Sequence, residues 1–415
     1  MFFIYNILIS ILILISPIII LIRIIKKKED KIRFKEKFCF FSKKRGKGKL
    51  IWLHGSSVGE ILSIVPLIEK LENKITIDQI LITSSTLSSS KVLSKYKFKK
   101  TIHQFFPIDS SLFAKKFLDY WKPSLSIFIE SEIWPNMLIS IKKRSIPLLL
   151  LNARITKKSY ERWKLFPSTS KTLFKSFDIC FSQNKETKKY LQYLGAKKIK
   201  LLGNLKFSES KFKEKYSLSN KYKALFKLRK IWCAASTHNS EEKICALAHK
   251  KLKNKYKNLL TIIIPRHIHR TNAIIDRIKS MNLNIQSRSS NLKIKHDTDI
   301  FIVDSYGETK SFYKICKLVF LGGSLINHGG QNPLEAARFG SKILHGPYIQ
   351  NFTEVYKLLE NNNISFKFNN VEQLIELINK SFVSKKSLNN KVIKLKKIGS
   401  DILDNTFEEI NNYLK

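Results

Sequence analysis

The chain has 415 residues, enough for two domains of ordinary size, each with its own core. Lysine and arginine number 76 against 32 acidic residues, a formal charge of +44. The basic residues are spread along the whole chain rather than gathered in one arm, so the excess points to an anionic surface more than to nucleic acid. Five scattered cysteines (Cys39, Cys180, Cys233, Cys245, Cys316) show no paired metal spacing and fit a reducing compartment.

Residues 1–22 are almost wholly apolar, broken only by Asn6, Ser10, Ser16 and Pro17. A helix of that length crosses a hydrocarbon core of about 30 Å. No basic stretch precedes it and no small-residue cleavage site follows, which argues against a cleaved signal peptide. Arg23 and Lys26, Lys27 and Lys28 come next, and the positive-inside rule then places the bulk of the chain in the cytoplasm with the N-terminus outside. Residues 31–49 are basic and interleaved with Phe34, Phe38, Phe40 and Phe41, suited to lie along anionic head groups.

Apolar strand-like runs follow at residues 49–53, 79–83, 125–129, 147–151, 178–182 and 199–202. After a polar passage at 208–223 the pattern restarts at 231–235, 260–264, 299–303, 318–321 and 341–344. Near-continuous apolar strands separated by helical stretches predict parallel sheets covered on both faces, and two such series predict two doubly wound domains. The stretch from Asn389 onward reads as a polar helix without an assigned place.

Strand ends carry the chemistry. The first strand runs into His54-Gly55-Ser56-Ser57-Val58-Gly59-Glu60, placing Glu60 where ligands bind in an open α/β sheet. A carboxylate there can take a proton from an acceptor hydroxyl; the plainer alternative is a helix cap. Glu130-Ser131-Glu132, followed by Trp134-Pro135-Asn136, ends another strand, and Glu130 there can bind a cationic group or sit as a surface acid before a helix. Arg154 brings a guanidinium to the same edge, and Lys206 adds an ammonium near the domain crossing.

In the second series, Pro265-Arg266-His267 and His269-Arg270 follow a buried strand, well placed for a phosphate. No carboxylate or cysteine accompanies the two histidines, so a metal site is not expected. Ser236, Thr237 and His238 precede Glu241 and Glu242 at a helix start, and Ser305-Tyr306-Gly307-Glu308 ends a further strand. The richest stretch follows residues 318–321: Gly322, Gly323, Gly329 and Gly330 lead to Asn332-Pro333, which reads as an N-cap and first helical residue, with Glu335 in capping-box position. Glycine turns and a helix start form an anion cradle, and together these ends predict a nucleotide site.

Taken in order, these strings resemble the 3-deoxy-D-manno-octulosonic acid (Kdo) transferases. The resemblance runs from the apolar N-terminus through residues 52–60, 130–136, 152–154, 203–207, 236–242, 265–267, 306–308, 322–324, 329–335 and 346–352. It implies an α/β protein of GT-B type: two Rossmann-like doubly wound domains facing a cleft, plus an N-terminal transmembrane helix. The anchor would take residues 1–25, an acceptor domain 26–207 and a nucleotide-sugar domain 208–415. The resemblance further implies a single-pass protein of the inner (cytoplasmic) membrane with its catalytic domains on the cytoplasmic face. Its donor would be CMP-Kdo and its acceptor lipid IVA, with no cofactor, no metal and no nucleic-acid partner. The general base would fall on Glu60 and the transition-state stabilisers on Glu130 and Lys206. The CMP contacts would fall on Pro265, Arg266, Tyr306, Gly307, Glu308, Asn332, Pro333, Leu334 and Glu335.

The chain departs from the family pattern in three places. Family members often carry Thr-Gly where this chain has Thr86-Leu87-Ser88-Ser89, a glycine where it has Ser240, and a histidine where it has Gln331. A GT-B enzyme using another nucleotide sugar, or a related epimerase, shares most of the pattern. A membrane-tethered nucleic-acid-binding protein would account for the charge but not for the strand ends.

Overall fold

The computed structural model describes residues 2–212, 218, 220–290, 294–384 and 388–414. Part of the polar passage expected between the domains lies outside the described residues. The chain divides into two compact units, residues 1–213 with 398–415, and residues 214–397.

The first unit is built on seven strands: β1 (Leu50–His54), β2 (Gln79–Ser84), β3 (Thr101–Phe105), β4 (Leu125–Ile129), β5 (Leu148–Ala153), β6 (Ile179–Ser182) and β7 (Ile199–Leu201). They pair in parallel in the order β3-β2-β1-β4-β5-β6-β7. All five residues of β1 are buried because helices cover both faces of the sheet. Successive side chains therefore enter opposite cores: Leu50 and Trp52 join Phe117, Trp121 and Phe128, while Ile51 and Leu53 join Ile64, Ile127 and Leu149.

The second unit repeats the plan with β8 (Lys230–Thr237), β9 (Leu259–Pro265), β10 (Ile285–Ser287), β11 (Ile300–Ile302), β12 (Leu318–Leu321), β13 (Lys342–His345) and β14 (Ser365–Lys367). Their order is β10-β11-β9-β8-β12-β13-β14, again all parallel. In each sheet the chain winds to one side of its first strand and then to the other. The switch points fall between β1 and β4 and between β8 and β12, where crevices open at the carboxyl ends of the strands.

Two features differ from the expectations above. The chain's last helix, Asn389–Asn411, begins in the second unit and belongs to the first from Ile398 onward. Leu403, Ile410 and Leu414 are buried in the first unit's core, and Lys49 Nζ donates to the Leu414 carbonyl at 2.7 Å. The expected boundary at 208–415 therefore over-extends the second unit: the helix reads as polar, yet Leu395, Leu403 and Ile410 along its length are buried.

The segment after the N-terminal helix is tied into the first unit rather than left for head groups. Glu36 is buried, forms a forked pair with Arg33 at 2.8 and 3.0 Å, and accepts the Phe105 amide at 2.7 Å. Phe41 stacks on Tyr120 at 3.9 Å, and of the four phenylalanines only Phe40 is largely exposed.

The N-terminal helix itself, Phe2–Ile25, is long and apolar enough to cross a membrane, and most of it is uncovered by protein. Arg23, near its end, pairs with Glu29 at 3.0 Å, and near its start the Tyr5 hydroxyl donates to Asp109 at 2.7 Å.

Candidate active site

At the first switch point, Ser57 caps the helix Val58–Glu72 and forms a reciprocal capping box with Glu60. The Glu60 carboxylate accepts the Ser56 amide at 2.6 Å and the Ser57 hydroxyl at 2.9 Å. Glu60 thus caps its helix, in the turn that follows the carboxyl end of β1. Burial foremost, then the charges of Glu132 and Glu130, push its pKa up to about 7 against the pull of the Ser57 bonds.

Glu132 is held in the opposite state. Burial alone would favour its neutral form, but His54 at 3.2 Å, the Ser56 hydroxyl at 2.5 Å and the Trp134 indole at 2.7 Å keep its pKa below the ordinary value. It links the ends of β1 and β4 and presents a fixed negative charge to Glu60. Two carboxyls with pKa values pushed in opposite directions mark a site able to move a proton.

Glu130 is nearly buried and adopts φ +57°, a conformation that costs a non-glycine residue about 1–2 kcal/mol. Its carboxylate stands 2.5 Å from Lys206 Nζ. Asn152, itself at φ +52°, reaches Glu130 at 3.5 Å and accepts the Leu205 amide at 3.0 Å. The strained backbone thus brings the ends of β4 and β5 and the turn Leu205–Phe207 to one locus. Arg154 shares that edge through its amide, which donates to the Glu130 carbonyl at 3.2 Å.

At the second switch point the glycine cradle is already occupied. Glu241, fully buried, accepts the amides of His238 and Gly323 at 2.8 Å, of Leu325 at 3.0 Å and of Ser324 at 3.2 Å. The first turn of the cradle therefore holds the protein's own carboxylate and binds β8 to β12. Gly322 makes this possible, since a side chain there would fall 2.4 Å from the Ser236 carbonyl and 2.7 Å from Glu241. The sequence presents Glu241 only as a first-turn acid; its partners lie on a strand that neighbours β8 only through the sheet order.

The helix after the cradle is also shorter than expected. It covers Leu334–Arg338, five residues, so its dipole adds little. Asn332 still accepts the Leu334 amide at 3.1 Å, but Glu335 closes no capping box and instead pairs with Lys310 at 3.2 Å.

The remaining strand-end residues share one edge of the second sheet. Pro265 ends β9 and is buried, and Arg266 next to it is exposed, its amide donating to the Thr237 carbonyl at 3.0 Å. Tyr306 is exposed, Gly307 has φ +85°, and Glu308 is held by Arg288 at 3.2 Å, a partner the sequence reading did not single out.

Two doubly wound units, one with opposed carboxyls at its switch point and one with basic and glycine-rich strand ends, define a glycosyltransferase of GT-B type. A family model for 3-deoxy-D-manno-octulosonic-acid transferase (kdotransferase) matches residues 32–209. The 3-deoxy-D-manno-octulosonic acid transferase of Rickettsia bellii (strain RML369-C) is 34% identical over 362 residues, covering 87% of this chain and 86% of that protein. The Haemophilus influenzae enzyme of the same name is 31% identical over 312 residues, 74% and 73% of the two chains. The chain belongs to the Kdo transferase family and is a glycosyltransferase of lipopolysaccharide biosynthesis. Among solved structures, the UDP-GlcNAc 2-epimerase of Neisseria meningitidis bound to UDP-GlcNAc superposes with a TM-score of 0.55 at 15% identity, over 88% of this chain and 99% of that one. That likeness concerns the fold alone.

Proposed function

We propose that the enzyme is an inverting transferase that moves Kdo from CMP-Kdo to the 6′-hydroxyl of lipid IVA, with Glu60 as general base. The observation that carries this reading is the Glu60 carboxyl, raised to about 7 at the end of β1 beside Glu132, whose carboxyl its hydrogen bonds hold below the ordinary range. A base with that pKa is half deprotonated near neutrality and still strong enough to take a hydroxyl proton. In the step, Glu60 accepts the proton of the 6′-hydroxyl, and the freed oxygen electron pair forms the bond to the anomeric carbon of Kdo. The bond from that carbon to the phosphate oxygen breaks on the opposite face, and its electrons leave with CMP.

Glu130 and Lys206 act as a pair that stabilises the charge redistribution. In the second unit, Pro265, Arg266, Tyr306, Gly307, Glu308 and the segment 332–335 take the CMP moiety, with Arg266 closest in chemistry to the leaving phosphate. A monophosphate leaving group carries less charge than a diphosphate, so the reaction runs without a metal ion and without nucleic acid as a partner. Purified protein incubated with CMP-Kdo and lipid IVA, followed by mass analysis of the lipid, tests the reading. Addition of Kdo supports it; transfer only from another nucleotide sugar overturns it.

The N-terminal helix crosses the inner membrane once, and both units lie on the cytoplasmic side against its anionic lipids. Arg23 and Lys26–Lys28 support this orientation. One observation favours a second reading, with the helix laid along the membrane surface: the Tyr5–Asp109 bond joins its first turns to the first unit. The energies favour the crossing. One such bond contributes about 1 kcal/mol. Apolar residues lie all round the helix, the exposed ones from Phe3 to Ile25 on one half and Phe2, Ile9, Ile13, Ile20 and Ile24 on the other, and each gains roughly 0.3–0.6 kcal/mol in hydrocarbon.

A further inference from the structure

His238 ends the turn that follows β8, and its surroundings lack the one thing their charge calls for. The residue is only 9% exposed, and among the described residues its ring Nε2 has no hydrogen-bond partner. The hydroxyl of Thr237 beside it is also buried and unpartnered. The ring of His328 lies 4.4 Å away, centroid to centroid, and that of His267 lies 5.9 Å away. A side chain at Gly323 (φ +69°) would fall 3.3 Å from the His238 Nε2 and 3.2 Å from the His328 ring, closer than ordinary contact, so the glycine eases the approach of the two imidazoles.

The nearby charges are nearly all positive. Arg266 and Arg270 both act on His238, and burial first, then His328, His267 and the two arginines, pull its pKa down to about 4. Arg270 is neutralised by Glu242 at 3.0 Å. The carboxylate nearest in sequence, Glu241, is committed to four backbone amides, including that of His238 itself. A buried polar atom without a partner costs about 1–3 kcal/mol, and Arg266 brings a positive charge toward it. An anion placed against Nε2 relieves both. Among the described residues no three His, Cys, Asp or Glu side chains are arranged to hold a metal.

We propose that His238, with His328 and His267 beside it, binds an anionic oxygen of the donor, contributed by either the phosphate or the sugar carboxylate. The proposal rests on the reading of the second unit as the donor-binding half. It assigns a polar contact at the β8–β12 switch point, a place that the strand-end residues named above leave unfilled.

Calorimetric binding of cytidine and of CMP, together with KM for CMP-Kdo, tests it on the full-length enzyme in detergent, with His238→Gln and His328→Ala as variants. His328 is exposed, so its replacement leaves packing intact even where His238→Gln weakens the fold. If the phosphate is the ligand, CMP affinity falls about tenfold or more in His238→Gln, less in His328→Ala, and cytidine affinity stays constant. If the carboxylate is the ligand, CMP affinity is unchanged and KM for CMP-Kdo rises about tenfold or more. Changes below twofold in both variants, for both ligands, overturn the proposal. Failure of the wild-type enzyme itself to bind CMP or use CMP-Kdo would instead overturn the donor reading beneath it.

Discussion

Lys206 Nζ stands 2.5 Å from the Oε1 of Glu130, and both side chains are largely buried, 18% and 8% exposed. The pair is held from below by Asn152, which touches Glu130 and the Leu205 amide together. Breaking a buried pair by removing one partner strands the other charge, at about 3–5 kcal/mol. Lys206→Met is therefore expected to lower both melting temperature and activity. The double variant Lys206→Met/Glu130→Gln removes the stranded charge and is expected to recover most of the stability but none of the activity. Recovery of transfer in the double variant would show that the pair serves the fold alone.

Ser240 precedes the helix Glu241–Lys253 at φ +77°, without a side-chain cap bond. That conformation explains why a glycine suits the position, and it makes serine the strained choice. Ser240→Gly is expected to raise stability by about 1 kcal/mol, measured by thermal or urea unfolding, with kinetics unchanged. A loss of stability would contradict the backbone assignment.

Glu241→Gln tests the filled cradle. The amide can keep one oxygen acceptor but turns an NH2 group toward backbone N–H donors. A loss of about 1–3 kcal/mol is expected, together with a higher KM for CMP-Kdo and a kcat changed far less. An unaltered KM would separate the cradle from donor binding.

How far the sequence led can be judged from these residues. The interior strands were legible because their side chains are buried on both faces, as in β1, β4 and β5. The strands left unread, β3, β10 and β14, all lie at sheet edges, where one flank is open and the apolar run breaks. Glu130 was visible because it follows its strand directly, and Glu60 because the short glycine-bracketed turn after β1 leads straight to it. The partnership of Glu241 with Gly323, or of Arg288 with Glu308, depends on which strands adjoin in the sheet, and no local pattern encodes that. The closing turns of the chain were illegible for the same reason: Leu403 and Ile410 find their core in the first unit.

Orientation of the N-terminal helix has its own test. With Met1 outside, a cysteine replacing Phe3 is expected to react with a membrane-impermeant maleimide in spheroplasts. The Tyr5–Asp109 bond is then absent in the membrane, so Tyr5→Phe is expected to leave activity unchanged. Protection of the cysteine together with a loss of activity in Tyr5→Phe would favour the surface-lying arrangement.

The most direct measurement is the pH dependence of kcat/KM for Kdo transfer to lipid IVA, in wild type, Glu60→Gln and Glu132→Gln. The base form of Glu60 lies above its pKa, so the wild-type rate is expected to fall tenfold per pH unit below about 7. Removing the Glu132 charge eases ionisation of Glu60 and is expected to shift that limb to lower pH. Glu60→Gln is expected to lose about 10²–10⁴-fold and to lack the limb altogether. A Glu60→Gln enzyme that keeps both the rate and the limb would contradict the assignment of Glu60 as the base.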